Sequence, residues 1–286
     1  MDDVIRKSLE DYSMLFGVDK AKLKLEEYKQ NRKKYSGPYV FWENEHLFKI
    51  IEQYFEKEYT EICTHNLDYI YNTWSIKKSN GGVRLITSPE EHLKKFQQFI
   101  NKYILKYADI SIHAHGYVKN KSIVTNAIEY CNKKVVICMD IRGFFSNIRG
   151  HQVYDVFINL GYTKEISEIL TTFCTYKDRL AVGVPTSPSI SNVILKNIDL
   201  QLDSIANLYG FKYTRYADDI TFSSNESKIG YKKFISTISQ LLSRYGFEVN
   251  CKKTKIYTRK GKFIPKKGLS EGESAEHKRD NKLRES

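Results

Sequence analysis

No stretch of the chain approaches the roughly eighteen consecutive apolar residues that a membrane-spanning helix requires. Its opening, MDDVIRKSLEDY, is too charged to form the apolar centre of a signal peptide. Both absences predict a cytoplasmic protein with no membrane partner. Cysteine is scarce too: Cys63, Cys131, Cys138, Cys174 and Cys251 are odd in number, widely spaced and contain no CxxC pair. Neither a disulfide framework nor a thiolate zinc site is suggested, which leaves reduced packing residues. His113 and His115 have no acidic or cysteine partner at ligand spacing and read as a loop pair. There is no internal repeat.

What is present is a chain of 286 residues, 41% apolar and 13% aromatic, enough for one large core or two modest ones. Its 46 Lys plus Arg outnumber 34 Asp plus Glu, for a net charge of +12. That balance favours a polyanionic partner such as nucleic acid or a membrane surface, the plainer alternative being a solvated basic surface.

Residues 1–60 alternate apolar and charged positions at helical spacing, broken at KYSGPYVF (34–41) by Gly37-Pro38, which reads as a short linker. From Ile76 to Ile86 two extended runs flank Asn80-Gly81-Gly82, the turn chemistry of a hairpin. A helix follows, with Ser88 as its predicted N-cap, Pro89 at its first position and Leu93, Phe96, Ile100 and Ile104 on one face. VVICMDI (135–141) is a buried strand that ends on an acid. Past Pro185 and Pro188 runs a long amphipathic helix; FKYTRYADDITFS (211–223) is strand, turn, strand. Another helix ends at Gly246 before short strands around Val249 and Ile256. This order predicts a mixed sheet backed by helices, in the α+β class. Beyond Thr258 apolar residues nearly vanish, and residues 259–286 are expected to be a basic, disordered tail.

The chemistry concentrates in Tyr216-Ala217-Asp218-Asp219. Paired carboxylates at a strand turn repel each other and lose hydration when buried, so they call for a cation; the bland alternative is a solvated turn. Asp140 shifts the balance, because an unpaired charge ending an apolar strand is costly. Three carboxylates from adjacent strands can hold two hard cations on oxygen ligands, as phosphoryl transfer uses them.

Asp140-Ile141-Arg142-Gly143-Phe144-Phe145, Gly183-Val184-Pro185-Thr186-Ser187-Pro188 and Tyr216-Ala217-Asp218-Asp219 together resemble motifs A, B and C of reverse transcriptases. They stand in the family's order over roughly residues 75–258, and Arg215 precedes the last motif as in the bacterial retron type. The resemblance implies a right-hand polymerase: fingers and a palm with a mixed or antiparallel sheet backed by helices at 75–258, behind a helical region at 1–74. It implies an RNA-directed DNA polymerase that copies a structured noncoding RNA into DNA from dNTPs, in phage defence alongside an effector protein. Asp140, Asp218 and Asp219 match the catalytic, metal-binding aspartates for two Mg2+, with Mn2+ as substitute. Phe145 matches the aromatic that excludes a ribose 2′-OH, its ordinary alternative being a core ring beside Phe144. Gly183, with Pro185, Ser187 and Pro188 of motif B, matches the floor of the nucleotide and template site. Arg84 matches the basic residue that meets the triphosphate, and Lys253 the lysine sometimes assigned as proton donor to pyrophosphate; both have the solvated surface cation as alternative.

The sequence departs from the pattern in three places. Val182 stands where glutamine is frequent, and Tyr130 replaces the histidine of the retron signature NAxxH in Asn126-Ala127-Ile128-Glu129-Tyr130. The VTG triplet is missing, the corresponding stretch being Ile264 to Leu269, which implies that the thumb is absent or severely reduced. Two further readings therefore stay open: another bacterial reverse transcriptase, of group II intron-like or abortive-infection type, and a polymerase-derived RNA-binding protein with little activity.

Overall fold

The computed structural model describes residues 3–30, 38–63, 67–78, 81–226, 230–258 and 261–263, with backbone only at Cys63 and 261–263. The chain opens with helices α1 (Asp3–Phe16) and α2 (Val18–Gln30), followed by α3 (Asn44–Phe55) and the short α4 (Tyr59–Cys63). An antiparallel hairpin, β1 (Tyr71–Lys77) and β2 (Val83–Pro89), stands apart as its own two-stranded sheet. Then come α5 (Glu91–Tyr103), α6 (Ile123–Ile128), β3 (Val135–Arg142), α7 (Gly150–Asn159), α8 (Lys164–Cys174) and α9 (Ser187–Leu208). The last part is β4 (Lys212–Tyr216), β5 (Asp219–Ser224), α10 (Tyr231–Arg244), β6 (Glu248–Val249), β7 (Lys255–Thr258) and β8 (Gly261–Phe263).

The main sheet has the order β4-β5-β3-β7-β8, with β6 paired to the far end of β3. Every pairing between these strands is antiparallel. Of the two sheet types the sequence left open, this is the second, in an α+β fold. β3 occupies the middle, paired with β5 on one side and β7 on the other, and its alternate residues Val135, Ile137, Met139 and Ile141 are all buried, which sets one face of the strand on the core. Phe234 of α10 packs its ring 4.5 Å from Phe211 and 4.9 Å from Phe222, fastening that helix to the sheet. The predicted face of α5 is fully buried at Leu93, Phe96, Ile100 and Ile104, each worth roughly 1.5–3 kcal/mol over exposure. Among the described residues no helix is long and apolar enough to cross a membrane.

Three expectations need correction. Ser88 is not an N-cap and Pro89 does not open the helix: both lie in β2, opposite Asn72 and Tyr71, and Glu90 takes the N-cap position of α5 without a side-chain cap bond. Strand pairing carries the chain past the serine, so the ladder overrides the local capping signal. The linker 34–41 lies partly outside the described residues, but its end does not behave as one. Tyr39, Val40 and Phe41 are buried, Tyr39 donating its hydroxyl to Asp11 at 2.7 Å. The Gly-Pro break was legible there; the aromatic run beside it was the stronger signal, for burial. Finally, Gly261–Phe263 is not tail but edge strand, hydrogen-bonded to Ile256–Thr258. Backbone pairing needs no apolar side chain, so hydropathy missed it. Asn80 of the hairpin turn, residues 264–286 of the expected tail and the stretch compared with VTG lie outside the described residues.

Among the described residues before position 74, α1 to α4 and a 3-10 turn at Leu67–Ile70 lead into β1, which begins at Tyr71 and runs across that boundary. Val4, Tyr39, Leu47 and Ile51 share one core with Phe96, Ile137 and Phe222, while Leu9, Tyr12, Ala21, Val40 and Trp42 form a smaller one beside it.

Candidate active site

The β4–β5 hairpin turns at Ala217 and Asp218, and its register sets Asp219 directly across from Asp140 on β3. Opposed residues of an antiparallel pair project to the same face, so these two carboxylates share a side of the sheet. Asp218 joins them from the turn, its carbonyl accepting the N–H of Ile141 at 2.9 Å. Ala217 is held at φ +55, a left-handed conformation that costs a non-glycine residue about 1 kcal/mol.

The electrostatics record a surplus of negative charge. The Asp218 carboxyl is pushed above the usual carboxylate range by burial first and then by Asp140. Asp219, whose side chain meets solvent, is pushed up to about 6 by desolvation, then by Asp218 and Asp140. Asp140 is only 6% exposed and receives a hydrogen bond from the Lys253 ammonium, whose own pKa rises chiefly through that bond. Lys253 is therefore no isolated surface cation. Arg84, exposed on β2, is near enough for its charge to favour the ionised Asp218.

Among the described residues no three His, Cys, Asp or Glu side chains close into a ready-made metal cage. Magnesium in phosphoryl-transfer sites takes one or two carboxylates and completes its shell with water and substrate oxygens, so an open set suffices. The donor chemistry fits: hard oxygen ligands, mutual repulsion, and a lysine bonded to Asp140, with Lys255 and Arg84 acting on the other two acids through their charge.

Phe144 and Phe145 divide their work. Phe144 is buried and stacks on Phe247 with ring centroids 6.1 Å apart. Phe145 sits in a 3-10 turn, only partly buried, its ring 6.5 Å from that of Tyr117. Tyr117, missed by sequence reasoning, is 55% exposed, and burial of its hydroxyl end followed by the charge of Asp218 raises its pKa. The neighbouring Gly116 is the signal that could have found it. A Cβ there would come within 2.6 Å of the Ala217 nitrogen, so only glycine lets this loop lie against the carboxylate turn.

The segment that resembles motif B is put to structural use. Gly183 has φ +104, and a Cβ would meet the Thr87 carbonyl at 2.6 Å. The close approach it permits here is to β2, where Thr87 N–H donates to Val182 O at 2.7 Å. Pro185 O accepts from Asn101 at 2.8 Å, the buried Ser187 hydroxyl accepts the Ala181 N–H at 3.3 Å, and Pro188 lies in the first turn of α9. His115 Nδ1 lies 3.0 Å from the Thr125 hydroxyl and His113 Nδ1 lies 3.3 Å from Tyr213 O, but His113 Nε2 also faces Asp203 at 3.7 Å, an acidic partner from α9 that sequence spacing did not reveal. Cys131, Cys138, Cys174 and Cys251 are free thiols.

A second charged feature lies nearby. Arg149, His151, Arg179, Arg244 and Tyr245 line a cavity of about 450 Å3, and Arg179 is anchored by donating to Ser146 O at 2.6 Å. Arg149 and Arg179 are partners in a β-bridge, so two separated stretches of sequence bring their guanidinium groups together.

An α+β domain whose antiparallel sheet gathers three acids around one turn has the oxygen-donor chemistry that suits hard cations. The particular family follows from sequence: the reverse transcriptase (RNA-dependent DNA polymerase) pattern matches residues 76–267, and the chain belongs to that family. Among its relatives are retron reverse transcriptases. The retron Mx65 enzyme of Myxococcus xanthus is 32% identical over 213 residues, covering 67% of this chain and 49% of the relative. The retron Ec86 enzyme of Escherichia coli is 31% identical over 203 residues, with 70% and 62% covered, and retron Ec73 of the same species 30% over 212, with 68% and 67%. The chain thus spans about half to two thirds of the length of these relatives.

Proposed function

We propose that the chain is an RNA-directed DNA polymerase of the retron type, with the main sheet as palm and the β1–β2 hairpin as fingers. The observation that carries this reading is the acid surplus at Asp140 and Asp219 on paired strands and Asp218 in the adjoining turn, where desolvation first and then the charges of Asp218 and Asp140 push Asp219 up to about 6. These residues would hold two Mg2+, or Mn2+ in substitution. When bound, such ions stabilise the charge on attacking and leaving oxygens in nucleotidyl transfer.

The other residues supply binding, orientation and proton control. Arg84 stands exposed on β2, near enough for its charge to act on Asp218, and its forked guanidinium can take a dNTP triphosphate bidentately. Phe145, half-buried beside Tyr117, presents a ring that leaves no room for a 2′-oxygen and offers it no hydrogen bond. Gly183 fixes the approach of hairpin to floor. The Lys253 Nζ carries a proton beside Asp140 and is the donor for departing pyrophosphate. The basic cavity around Arg149, Arg179 and Arg244 offers phosphate contacts to the template RNA or its DNA product. A structured noncoding RNA as template, an effector protein as partner, phage defence as setting and a cytoplasmic location follow from the likeness to retron enzymes.

Primer extension on an RNA template with dNTPs tests the reading. Wild type should synthesise DNA with Mg2+, and Asp218→Asn should not, while its Tm stays at or above that of wild type. Retained synthesis in the variant would remove the assignment. RNA binding without synthesis by the wild type would leave an RNA-binding protein derived from a polymerase. Phe145→Ala should cost the wild type most of its preference for dNTP over rNTP, about 2–4 kcal/mol or thirty- to a thousandfold. An unchanged ratio would make Phe145 a packing residue.

A further inference from the structure

Behind the carboxylate turn lies a side chain that the polymerase reading does not use. Arg215 is the largest fully buried residue of the described chain, with 0% exposure, and so is its partner Asp199 on α9. Its Nε and Nη2 donate to the two oxygens of Asp199 at 2.9 and 2.8 Å, a bidentate pair. Its Nη1 turns the other way, donating to Asn192 Oδ1 at 3.0 Å and to the carbonyl of Ala217 at 3.2 Å. Asn192 then donates from Nδ2 to Gly116 O at 2.9 Å. Tyr213 adds its hydroxyl to Asp199 Oδ1 at 2.8 Å. The backbone of Arg215 is tied as well, exchanging bonds with His113 O at 2.9 Å and the N–H of His115 at 2.7 Å.

We propose that Arg215, seated on Asp199 and Asn192, is a positioning residue that clamps the left-handed Ala217 and the Gly116–Tyr117 loop together, fixing Asp218 and Asp219 for cation binding. A buried ion pair is a poor way to gain stability, since well-packed apolar side chains of similar size often do as well. What apolar groups cannot do is hold a carbonyl in an unfavourable conformation from one side and a second loop from the other. A lysine cannot either, since its single ammonium lacks the planar fork that here serves an acid, an amide and a carbonyl at once. Two acids that repel each other at a turn will drift apart unless the turn is restrained, and this clamp touches the residue immediately before them.

The kinetic half of the test rests on the polymerase reading; the metal-binding half does not. In the triple variant Asp199→Leu, Tyr213→Phe, Arg215→Met no buried charge is left without a partner, while Asn192 Oδ1 and the Ala217 carbonyl each lose a donor, so it should stay folded with a Tm lower by about 5–10 °C. Its kcat should fall about tenfold to a hundredfold with the KM for dNTP nearly unchanged. Mn2+ binding to the free protein, followed by electron paramagnetic resonance, should weaken about tenfold. A folded triple variant with wild-type kcat and Mn2+ affinity would overturn the proposal. Asn192→Ala, which leaves the ion pair intact, covers the case in which the triple variant does not fold: the same changes are expected at roughly a third of the size in fold terms, and wild-type values would overturn it. Should the wild type synthesise no DNA at all, the polymerase reading fails and Mn2+ affinity alone decides the clamp.

Discussion

Two sets of charges lie on either side of the same turn, and they are treated in opposite ways. Behind it, Arg215 and Asp199 are fully buried, matched fork to fork, and completed by Asn192, Tyr213 and a backbone carbonyl. In front of it, Asp140, Asp218 and Asp219 crowd together with one lysine on one of them. The first set is satisfied and therefore rigid; the second is short of positive charge and therefore ready for a ligand. Stability is given up at the front, where each raised carboxyl pKa reports an ionised state less favourable than in the unfolded chain.

Removing one charge from each set puts this contrast under the greatest strain. Asp140→Asn should lower DNA synthesis by about a hundredfold to a thousandfold while thermal unfolding shows little loss of stability, because a ligand charge goes and repulsion is relieved. Arg215→Ala should do the reverse in the first instance, costing about 3–5 kcal/mol in urea unfolding, since Asp199 is left charged and buried alone. If Arg215→Ala unfolded no more easily than Asp140→Asn, the contrast between satisfied and unsatisfied charge would be gone.

The N-terminal core supplies a third case, a titratable group buried neutral. His46 has no exposure, packs against the rings of Tyr12 and Tyr39, accepts the Trp42 N–H on Nδ1 at 3.5 Å, and has no partner for Nε2 among the described residues. Desolvation lowers its pKa to about 4, Asp11 opposing weakly. The unfolded chain, with an imidazole near 6.5, binds the proton more readily, so stability is flat above that pH and falls between about 6.5 and 4, by about 3 kcal/mol in all. Denaturant unfolding across that range should show the loss, and His46→Phe should flatten it. A profile unaltered by the substitution would place the titrating group elsewhere.

The smallest effect expected is at the basic cavity. Changing Arg149 and Arg244 to Gln should reduce the log–log salt slope of RNA binding by about one for each phosphate no longer neutralised, without altering Tm. An unchanged slope would mean that these guanidinium groups are only solvated.

Much of this was legible in the chain. Periodicity located α5, α9 and α10 with their buried faces, and the turn chemistry around Gly81 and Gly82 located the β1–β2 hairpin, because local sequence sets local conformation. The edge strand at Gly261–Phe263 was not legible, since its partners are backbone atoms of Ile256–Thr258 and leave no mark in composition. Burial of Tyr39 to Trp42 was masked by the Gly-Pro signal beside it.

Read linearly, the chain already settles that three aspartates would be costly to bury unpaired, in what order they stand, and which helix faces make the core. Folding in three dimensions was needed to make Asp140 and Asp219 register partners and to set Lys253 on the first of them. It was needed again to pair Arg215 with an aspartate on α9 and to bring Gly116 against Ala217. The physical reason is one of range: hydrophobic period and turn chemistry act between neighbours in sequence, whereas the partner of a buried charge is chosen by which elements pack together.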